Sequence, residues 1–488
     1  MTRNYALALL SAVLLILIVP NWNLVWLAPF ALAPLLFALS REPRPLHRFL
    51  LGCAAGIVYW FGVCNWIEFV LDVHGGMGRW GGWATFMLFC LLKSVHLGLF
   101  ALAAAIVLRH WYAIPAVAAL WTGIERTHGD LGFAWLCLGN AGIDMGLPMR
   151  MAPWIGVYGP SFLFAMLSTA TTLILLERGR KELLWLAPIA ALSLFPALPG
   201  PQAGDKTALL VQPNVPEEQE WTTELTRGLQ RELVAASLDP SRPGLIIWPE
   251  VPGPLYYYRD SEFREQVALL ARTAHAYVLF GTVANTPKGA PLNSAVALTP
   301  EGELVDRYDK INLVPFGEFV PKLFSFVNRI TQEAGDFEKG TRIVVFPMNG
   351  HPAGVFICYE SVFPQEVRKF VQQGADLLVN ISNDGYFGHS AAREQHLEIV
   401  RMRAAENRRW ILRDTNDGVT AAIDPAGRVM KRLPLYTPTA GLFRYSYVQE
   451  TTFYTRHGDW FAWGCLLLGA VSLLTSQIPH YRPRYTLI

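Results

Sequence analysis

Cys358 is the cysteine in this chain whose surroundings suit a nucleophile. It follows the apolar run Val355-Phe356-Ile357, and the end of a buried strand is a place where folds present reactive groups. A thiol must become a thiolate to attack, so it needs a base or a positive charge nearby. From its position alone, Cys358 could equally be a small buried hydrophobe, as free cysteines often are.

Two other segments could supply the base and the charge. Glu250 ends the apolar run 246–250, where a carboxylate could act as a general base. Lys310 could stabilise a thiolate or a tetrahedral oxyanion, and Glu318 could hold that lysine. Each residue also has an ordinary alternative, with both glutamates as exposed loop carboxylates and Lys310 as a solvated partner of Asp309.

The composition indicates a membrane part and a soluble part. The chain has 488 residues, 52% hydrophobic and 16% charged, with a net charge of +2. This excludes a disordered chain or a disulfide scaffold and gives no sign of a nucleic-acid partner. About 20 charged residues lie in 1–199 and about 57 in 200–456. We therefore expect a seven-helix membrane domain at 1–199, a soluble domain at 200–456, and a last transmembrane helix with a basic tail at 457–488.

Eight segments are apolar enough to be membrane spans, which need about 20 mostly apolar residues. We predict them at 5–21, 23–40, 49–72, 81–108, 111–124, 154–176, 183–199 and 460–477. The fifth is the weakest, because it is short, contains Pro115 and runs into Glu125 and Arg126. The first could be a signal peptide, but no small-residue cleavage site follows it, which favours a retained helix.

The distribution of Lys and Arg predicts the orientation of these spans. With the N-terminus inside, the inner segments hold about ten of these residues and the short outer loops about three. The domain 200–456 would then lie on the outer face, which in a bacterium is the periplasm. Loss of the fifth span would move that domain to the cytoplasm, but the basic cluster Arg178, Arg180 and Lys181 argues against this.

The soluble part alternates β-rich runs with amphipathic segments, which is typical of a layered α/β domain. We predict strands at 207–215, 244–249, 276–283, 293–299, 342–347, 353–358, 376–382, 409–414 and 419–424. We predict helices at 217–238, 260–274, 363–373 and 390–408. The segment Pro199-Gly200-Pro201 marks the linker before this domain.

The order Glu250, Lys310, Cys358 resembles the Glu-Lys-Cys triad of the nitrilase (carbon–nitrogen hydrolase) superfamily. The whole chain resembles one of its membrane-bound families, the apolipoprotein N-acyltransferases. The matching segments are 211–216, 248–250, 310–321, 357–360 and 380–388. A tryptophan is common in that family where this chain has Tyr386, a departure that concerns lipid contacts rather than the triad.

This resemblance implies a role for each matching residue. Glu250 would be the general base, Lys310 the oxyanion stabiliser and Cys358 the nucleophile, with Glu318 and Glu360 orienting the lysine and the thiol. The aromatic residues near the lipid entrance would be Trp221, Tyr359, Tyr386 and Phe387, with Tyr359 also supporting the nucleophile. The implied fold is an αββα sandwich on a bundle of eight transmembrane helices, without a metal or cofactor.

The implied reaction transfers an acyl chain from a membrane phospholipid, through a Cys358 thioester, to the α-amino group of the S-diacylglyceryl cysteine of apolipoproteins. The enzyme would be a monomer in the bacterial inner membrane with its catalytic domain in the periplasm. The triad itself also suits a membrane-tethered amidase, whose acceptor is water. A transporter or scaffold that only binds lipid is a further alternative, and it would not need a Cys358 thiolate. The seven spans before the domain favour lipid substrates.

Two further expectations concern contact with the bilayer and with water. Aromatic residues favour the membrane interface, so we expect Tyr256, Tyr257, Tyr258, Phe324 and Phe326 on loops near it, although ordinary packing is the alternative. A thioester must be shielded from water, which predicts a lid; the segment 324–338, with Gly335, is the candidate.

Overall fold

The computed structural model of the protein describes residues 2–315, 317–319 and 337–478. The chain divides into two compact units. The first comprises Met1–Glu68, Trp83–Leu198 and His457–Ile488, and the second Phe69–Gly82 and Pro199–Arg456. The second unit thus includes a short segment from the N-terminal part, which the charge distribution did not predict.

Helices occur in both units. In chain order they are α1 (Thr2–Leu17), α2 (Ala33–Arg41), α3 (Pro45–Cys64), α4 (Trp66–Phe69), α5 (Gly78–Val107), α6 (Ala113–Asp130), α7 (Gly146–Met149), α8 (Ala152–Ile155), α9 (Tyr158–Leu175), α10 (Ala187–Ala190), α11 (Thr223–Ala236), α12 (Ser261–Ala274), α13 (Pro364–Gln372), α14 (Ala392–Asn407), α15 (Phe453–His457) and α16 (Trp460–Thr475). Short 3₁₀ segments connect several of them, and Val70–His74 forms a π-helical turn.

Within the described residues, three helices are long and apolar enough to cross a membrane: α3, α5 and α9. Shorter apolar helical segments are α1, Val25–Arg41 and α16. These six segments overlap six of the eight predicted spans. The total of eight spans stays a prediction.

The remaining two predicted spans differ from expectation. Helix α6 does not stop before its charged residues, because Glu125 accepts a hydrogen bond from the N–H of Leu138 and Arg126 pairs with Asp459 at 2.5 Å. The predicted span 183–199 is instead broken into 3₁₀ turns around the four-residue α10. Proline lacks an N–H and cannot continue a helical ladder, and this segment contains Pro188 and Pro196.

Among the residues that the structure describes, the second unit contains two six-stranded sheets. The strands are β1 (Lys206–Gln212), β2 (Leu245–Ile247), β3 (Tyr277–Asn285), β4 (Pro291–Leu298), β5 (Leu304–Asp309), β6 (Val345–Phe346), β7 (Ala353–Ile357), β8 (Leu377–Ser382), β9 (Ile411–Thr415), β10 (Ala421–Ile423), β11 (Val429–Arg432) and β12 (Thr439–Tyr445). One sheet has the order β12-β1-β2-β3-β4-β5 and the other β11-β10-β9-β8-β7-β6. The predicted α/β domain is confirmed.

Parallel strands form the centre of each sheet, as their continuous apolar sequences predict. The parallel sets are β1-β2-β3 and β7-β8-β9. The sheets contact each other through β1 and β9. Helix α12 packs on β3 of the first sheet, and in the second sheet α13 packs on β7 and α14 on β9. This is a helix–sheet–sheet–helix arrangement in which the carboxyl ends of the parallel strands are the places to look for a site.

The sequence did not predict β5, β11 and β12, which have mixed or exposed side chains rather than apolar runs. They form because a neighbouring strand supplies the hydrogen bonds; β12 pairs antiparallel along the whole of β1. Helix α11 also begins later than predicted. Thr222 ends the preceding extended segment and caps the helix by accepting from the N–H of Leu225.

Candidate active site

The three triad candidates each follow a strand of the second unit. Glu250 comes just after β2, Lys310 directly after β5, and Cys358 directly after β7. A close approach between strands helps to place Glu250, because a Cβ on Gly281 would lie 2.8 Å from the Glu250 Cα atom. The sheet ends therefore bring a carboxylate, an ammonium group and a thiol to one site.

Lys310 lies between two carboxylates. Its Nζ atom is 3.0 Å from Oε1 of Glu250 and 3.0 Å from Oε1 of Glu318. The side-chain amide of Asn293 donates to the same two oxygens, at 2.8 Å and 2.6 Å. The alternative of a solvated lysine paired with Asp309 is wrong, since Lys310 is 1% exposed and Asp309 pairs with an arginine.

The charges around Lys310 determine its protonation. Burial alone lowers the pKa of an ammonium group, but the carboxylates of Glu250 and Glu318 and the Cys358 sulfur outweigh burial and raise the pKa of Lys310 well above its ordinary value. Lys310 therefore carries a positive charge at neutral pH. A fixed ammonium in a site with little water is suited to stabilising an oxyanion.

Backbone donors hold the two carboxylates in place. The N–H of Asn383, at the end of β8, donates to Oε2 of Glu250 at 2.9 Å. The N–H of Val314 donates to Oε2 of Glu318 at 2.8 Å. Each glutamate thus presents one oxygen to Lys310 and uses the other to fix its own orientation.

Glu360 joins the lysine segment to the nucleophile segment. Its carboxylate accepts from four donors, Tyr308 Oη, Ile311 N, Asn312 N and Ile357 N, at 2.7, 2.7, 3.1 and 2.8 Å. Burial raises the pKa of Glu360 to about 7, while these hydrogen bonds act in the opposite direction. Glu360 therefore fixes the distance between Lys310 and Cys358 through the backbone.

Cys358 is buried and has an unusual backbone conformation. Its φ angle is +48°, in the left-handed region, which costs a non-glycine residue about 1–2 kcal/mol. Burial, and next the negative charge of Glu250, raise the pKa of the thiol, while Lys310 acts to lower it. The resting sulfur is a thiol at neutral pH, so attack requires removal of its proton by a nearby base.

The aromatic candidates lie in different places. Tyr386 stacks on His74, with ring centroids 4.2 Å apart, and its hydroxyl reaches Gly317. Phe387 is buried against His396, and Tyr359 against Phe363. Trp221 instead packs on Gly253 and the core of the first sheet.

The expectation for the three consecutive tyrosines is partly wrong. Tyr257 is a core residue, 5% exposed and in contact with Phe280. Tyr256 and Tyr258 are 36% and 37% exposed. Phe324, Phe326 and residues 324–336 of the lid candidate 324–338 lie outside the described residues, which resume at residue 337.

Comparison with known proteins gives the family. Residues 11–170 match the model of the apolipoprotein N-acyltransferase N-terminal domain, and residues 208–442 match that of the carbon–nitrogen hydrolases. The chain is 32% identical to the apolipoprotein N-acyltransferase of Geobacter metallireducens, over 96% of this chain and 94% of that one. The chain belongs to the apolipoprotein N-acyltransferase family. The family's enzyme from Nitrosomonas europaea is 35% identical over 84% of both chains.

Among solved structures, an amidase of the nitrilase superfamily from Nesterenkonia sp. AN1 is similar to part of this chain. It is 16% identical with a TM-score of 0.40, and the match covers 54% of this chain and 98% of the amidase.

Several polar residues of the site were missed by the sequence reasoning. Asn293 lies within β4, and nothing in an apolar strand pattern indicates that its side chain donates hydrogen bonds to two carboxylates. Asp384 and Asn383 belong to a segment that resembled the family, which was a usable signal. His396 lies on α14, where it reaches the carbonyl of Cys358, and only the structure reveals that contact.

Proposed function

We propose that this member of the apolipoprotein N-acyltransferase family transfers an acyl chain from a phospholipid to the N-terminal S-diacylglyceryl cysteine of apolipoproteins, through a thioester on Cys358. The observation that carries the proposal is Lys310, held between the carboxylates of Glu250 and Glu318 in the site that contains the buried Cys358. The names of its relatives give the acceptor class.

In the first half-reaction, Glu250 accepts the thiol proton of Cys358 as the sulfur attacks the carbonyl carbon of the phospholipid sn-1 ester. The resulting oxyanion is stabilised by the Lys310 ammonium. Collapse breaks the bond between the carbonyl carbon and the glycerol oxygen, and that oxygen takes the proton from Glu250. The products are a lysophospholipid and an acyl thioester.

In the second half-reaction, the free α-amine of the apolipoprotein cysteine attacks the thioester carbonyl. Glu250 accepts a proton from the nitrogen, and Lys310 again stabilises the oxyanion. Breaking the carbon–sulfur bond forms the amide and returns the proton to the Cys358 sulfur. Glu318 and Glu360 keep the lysine in place through both steps, and the residues of the site need no metal or cofactor for them.

The apolar helices suit substrates that are themselves in a membrane. Moving an acyl chain out of a bilayer costs about 0.8 kcal/mol per CH₂, so a site held at the bilayer avoids extracting the whole lipid. We propose the inner membrane, with eight spans, the domain 200–456 in the periplasm, and a monomer as the working unit. Trp221, Tyr359, Tyr386 and Phe387 are proposed to contact the lipid or to support the nucleophile.

Intact-protein mass spectrometry tests this proposal. Purified enzyme incubated with phospholipid should gain the mass of one acyl group, and Cys358→Ala should gain none. Cys53→Ala, which alters a cysteine outside the second unit, is the matched control and should acylate normally.

The acceptor is tested by adding a peptide that begins with S-diacylglyceryl cysteine. The free-amine peptide should discharge the adduct and gain the acyl group, whereas its N-acetylated counterpart should not. Discharge at the same rate without peptide would favour the membrane-tethered amidase. Absence of any adduct would favour a protein that only binds lipid.

A further inference from the structure

A buried polar cluster lies directly behind the nucleophile. His396 on α14 contacts the carbonyl oxygen of Cys358 at 3.1 Å and the hydroxyl of Ser361 at 2.9 Å through Nε2. On its other side, Nδ1 is 3.1 Å from Asp384 Oδ1 and 3.2 Å from Arg413 Nη2. His396 therefore links the nucleophile backbone to an ion pair in the protein interior.

The two charges of this cluster, on Arg413 and Asp384, neutralise each other and need no partner among Glu250, Lys310 and Cys358. Arg413 contacts Asp384 at 2.6 Å, and both side chains are fully buried, as is His396. Despite burial, the charge of Arg413 holds the pKa of Asp384 below its ordinary value. Burial, and next the Arg413 charge, lower the pKa of His396, so its imidazole is neutral at neutral pH.

A neutral imidazole carries one proton, and its neighbours indicate where. The carbonyl oxygen of Cys358 can only accept a hydrogen bond, whereas the guanidinium of Arg413 can only donate one. Nδ1 lies beside both an acceptor, Asp384 at 3.1 Å, and a donor, Arg413 at 3.2 Å, so its contacts do not place the proton. The contact of Nε2 with the Cys358 carbonyl does, because it is a hydrogen bond only when Nε2 carries the proton. Asp384 is satisfied by Arg413 and by the hydroxyl of Ser382, at 2.8 Å.

The cluster holds the backbone of Cys358 through its carbonyl oxygen, which His396 binds. Because a peptide bond is planar, the Cys358 carbonyl and the N–H of Tyr359 share one plane. A hydrogen bond that fixes the carbonyl therefore fixes the orientation of the whole Cys358–Tyr359 peptide. A non-glycine residue stays in the left-handed region only where its surroundings hold it there.

We propose that His396 is a positioning residue that keeps Cys358 in its left-handed conformation by donating from Nε2 to the Cys358 carbonyl. It is not the base of the reaction, because it reaches the backbone oxygen and Ser361 rather than the thiol. The acyl-transfer consequences rest on the proposed function, whereas the effect on the reactivity of the thiol does not.

Two substitutions by amide side chains distinguish the contribution of Nε2 from that of Nδ1. His396→Gln places an amide nitrogen near the position of Nε2, and His396→Asn places one near the position of Nδ1. We expect the His396→Gln variant to form the acyl-enzyme from phospholipid at a single-turnover rate within about tenfold of the wild type. We expect that rate to fall about 100-fold in His396→Asn with KM nearly unchanged, since misplacement of a reacting group by about 1 Å costs that much.

Leu397→Ala, the next buried position of α14, is the control for weakened helix packing. It should lower the melting temperature but leave the rate per folded molecule unchanged. Rescue by Asn rather than Gln, or equal wild-type rates in both, would overturn the proposal.

Alkylation of Cys358 by iodoacetamide gives a readout that needs no acyltransferase activity. The pH profile of alkylation should be that of the wild type in His396→Gln and should move toward that of an ordinary thiol, near pH 8.5, in His396→Asn. If alkylation behaves in this way but no acyl adduct forms with any variant, the positioning role stands and the proposed function fails. An unchanged profile in both variants contradicts the positioning role.

Discussion

The ammonium group of Lys310 lies 3.0 Å from the carboxylate of Glu318, and the same nitrogen lies 3.0 Å from Glu250. Replacing Lys310 with Met would leave two carboxylates facing each other in a buried place. Breaking a buried ion pair from one side costs about 3–5 kcal/mol. We expect Lys310→Met to lose that much unfolding free energy and to form no acyl adduct.

The double variant Lys310→Met/Glu318→Gln separates stability from catalysis. Glu318→Gln removes one of the two unpaired charges, so the double variant should regain part of the lost stability in thermal unfolding. It should stay inactive, because no ammonium remains to stabilise the oxyanion. A double variant that regains acylation would show that Lys310 serves only the fold.

Glu250→Gln should have opposite effects on two reactions of the same sulfur. Burial, and next the charge of Glu250, raise the pKa of the Cys358 thiol, so removing that charge should increase the thiolate fraction and speed alkylation by iodoacetamide at pH 8. Acyl-enzyme formation should fall by about 100-fold or more, because the base is lost. Parallel loss of both rates would indicate damage to the site rather than loss of a base.

Glu217 gives a prediction about pH and stability. Burial, and next the carboxylate of Asp417, raise the pKa of Glu217 to about 7 from an ordinary value near 4.5. Between these two pKa values the folded protein binds one more proton, at Glu217, than the unfolded chain does. The contribution of Glu217 to stability is therefore complete below about pH 4.5 and is lost as the pH rises through 7.

Glu217→Gln, which cannot ionise, should remove this part of the pH dependence. The unfolding free energy of the variant, relative to that of the wild type, should rise by roughly 1–2 kcal/mol from pH 5 to pH 8. This magnitude allows for solvent screening of a partly exposed group. Thermal unfolding at both pH values measures the change. Equal shifts at the two pH values would contradict a raised pKa.

The parts of the site that could be predicted lie at the ends of apolar runs. Glu250 and Cys358 each follow such a run, and strand ends place side chains at sheet edges whatever the details of packing. Asn293 and His396 could not be found in that way. Asn293 faces Glu250 only through the pairing of β4 with β3, and His396 reaches Cys358 only through the packing of α14.

The errors in the fold have the same origin. Composition marked Glu125 and Arg126 as the end of a helix, but Asp459, far along the chain, neutralises the arginine and the helix continues. Three consecutive tyrosines carry no periodicity, so the sequence did not indicate that Tyr257 alone points into the core. In each case a partner distant in sequence decides what local composition leaves open.

The contact between Gly317 and Tyr386 provides a last test of how the site is shaped. A Cβ on Gly317 would overlap the Tyr386 hydroxyl, and the stacking of Tyr386 on His74 restricts its retreat. Overpacking costs about 1–3 kcal/mol, so Gly317→Ala should shift Tyr386 and weaken the apparent affinity for phospholipid. Adding Tyr386→Phe removes the overlapping oxygen and should restore part of that affinity, as measured by the phospholipid KM. If the double variant is no better than Gly317→Ala alone, the tyrosine does not transmit the effect and its proposed lipid contact fails.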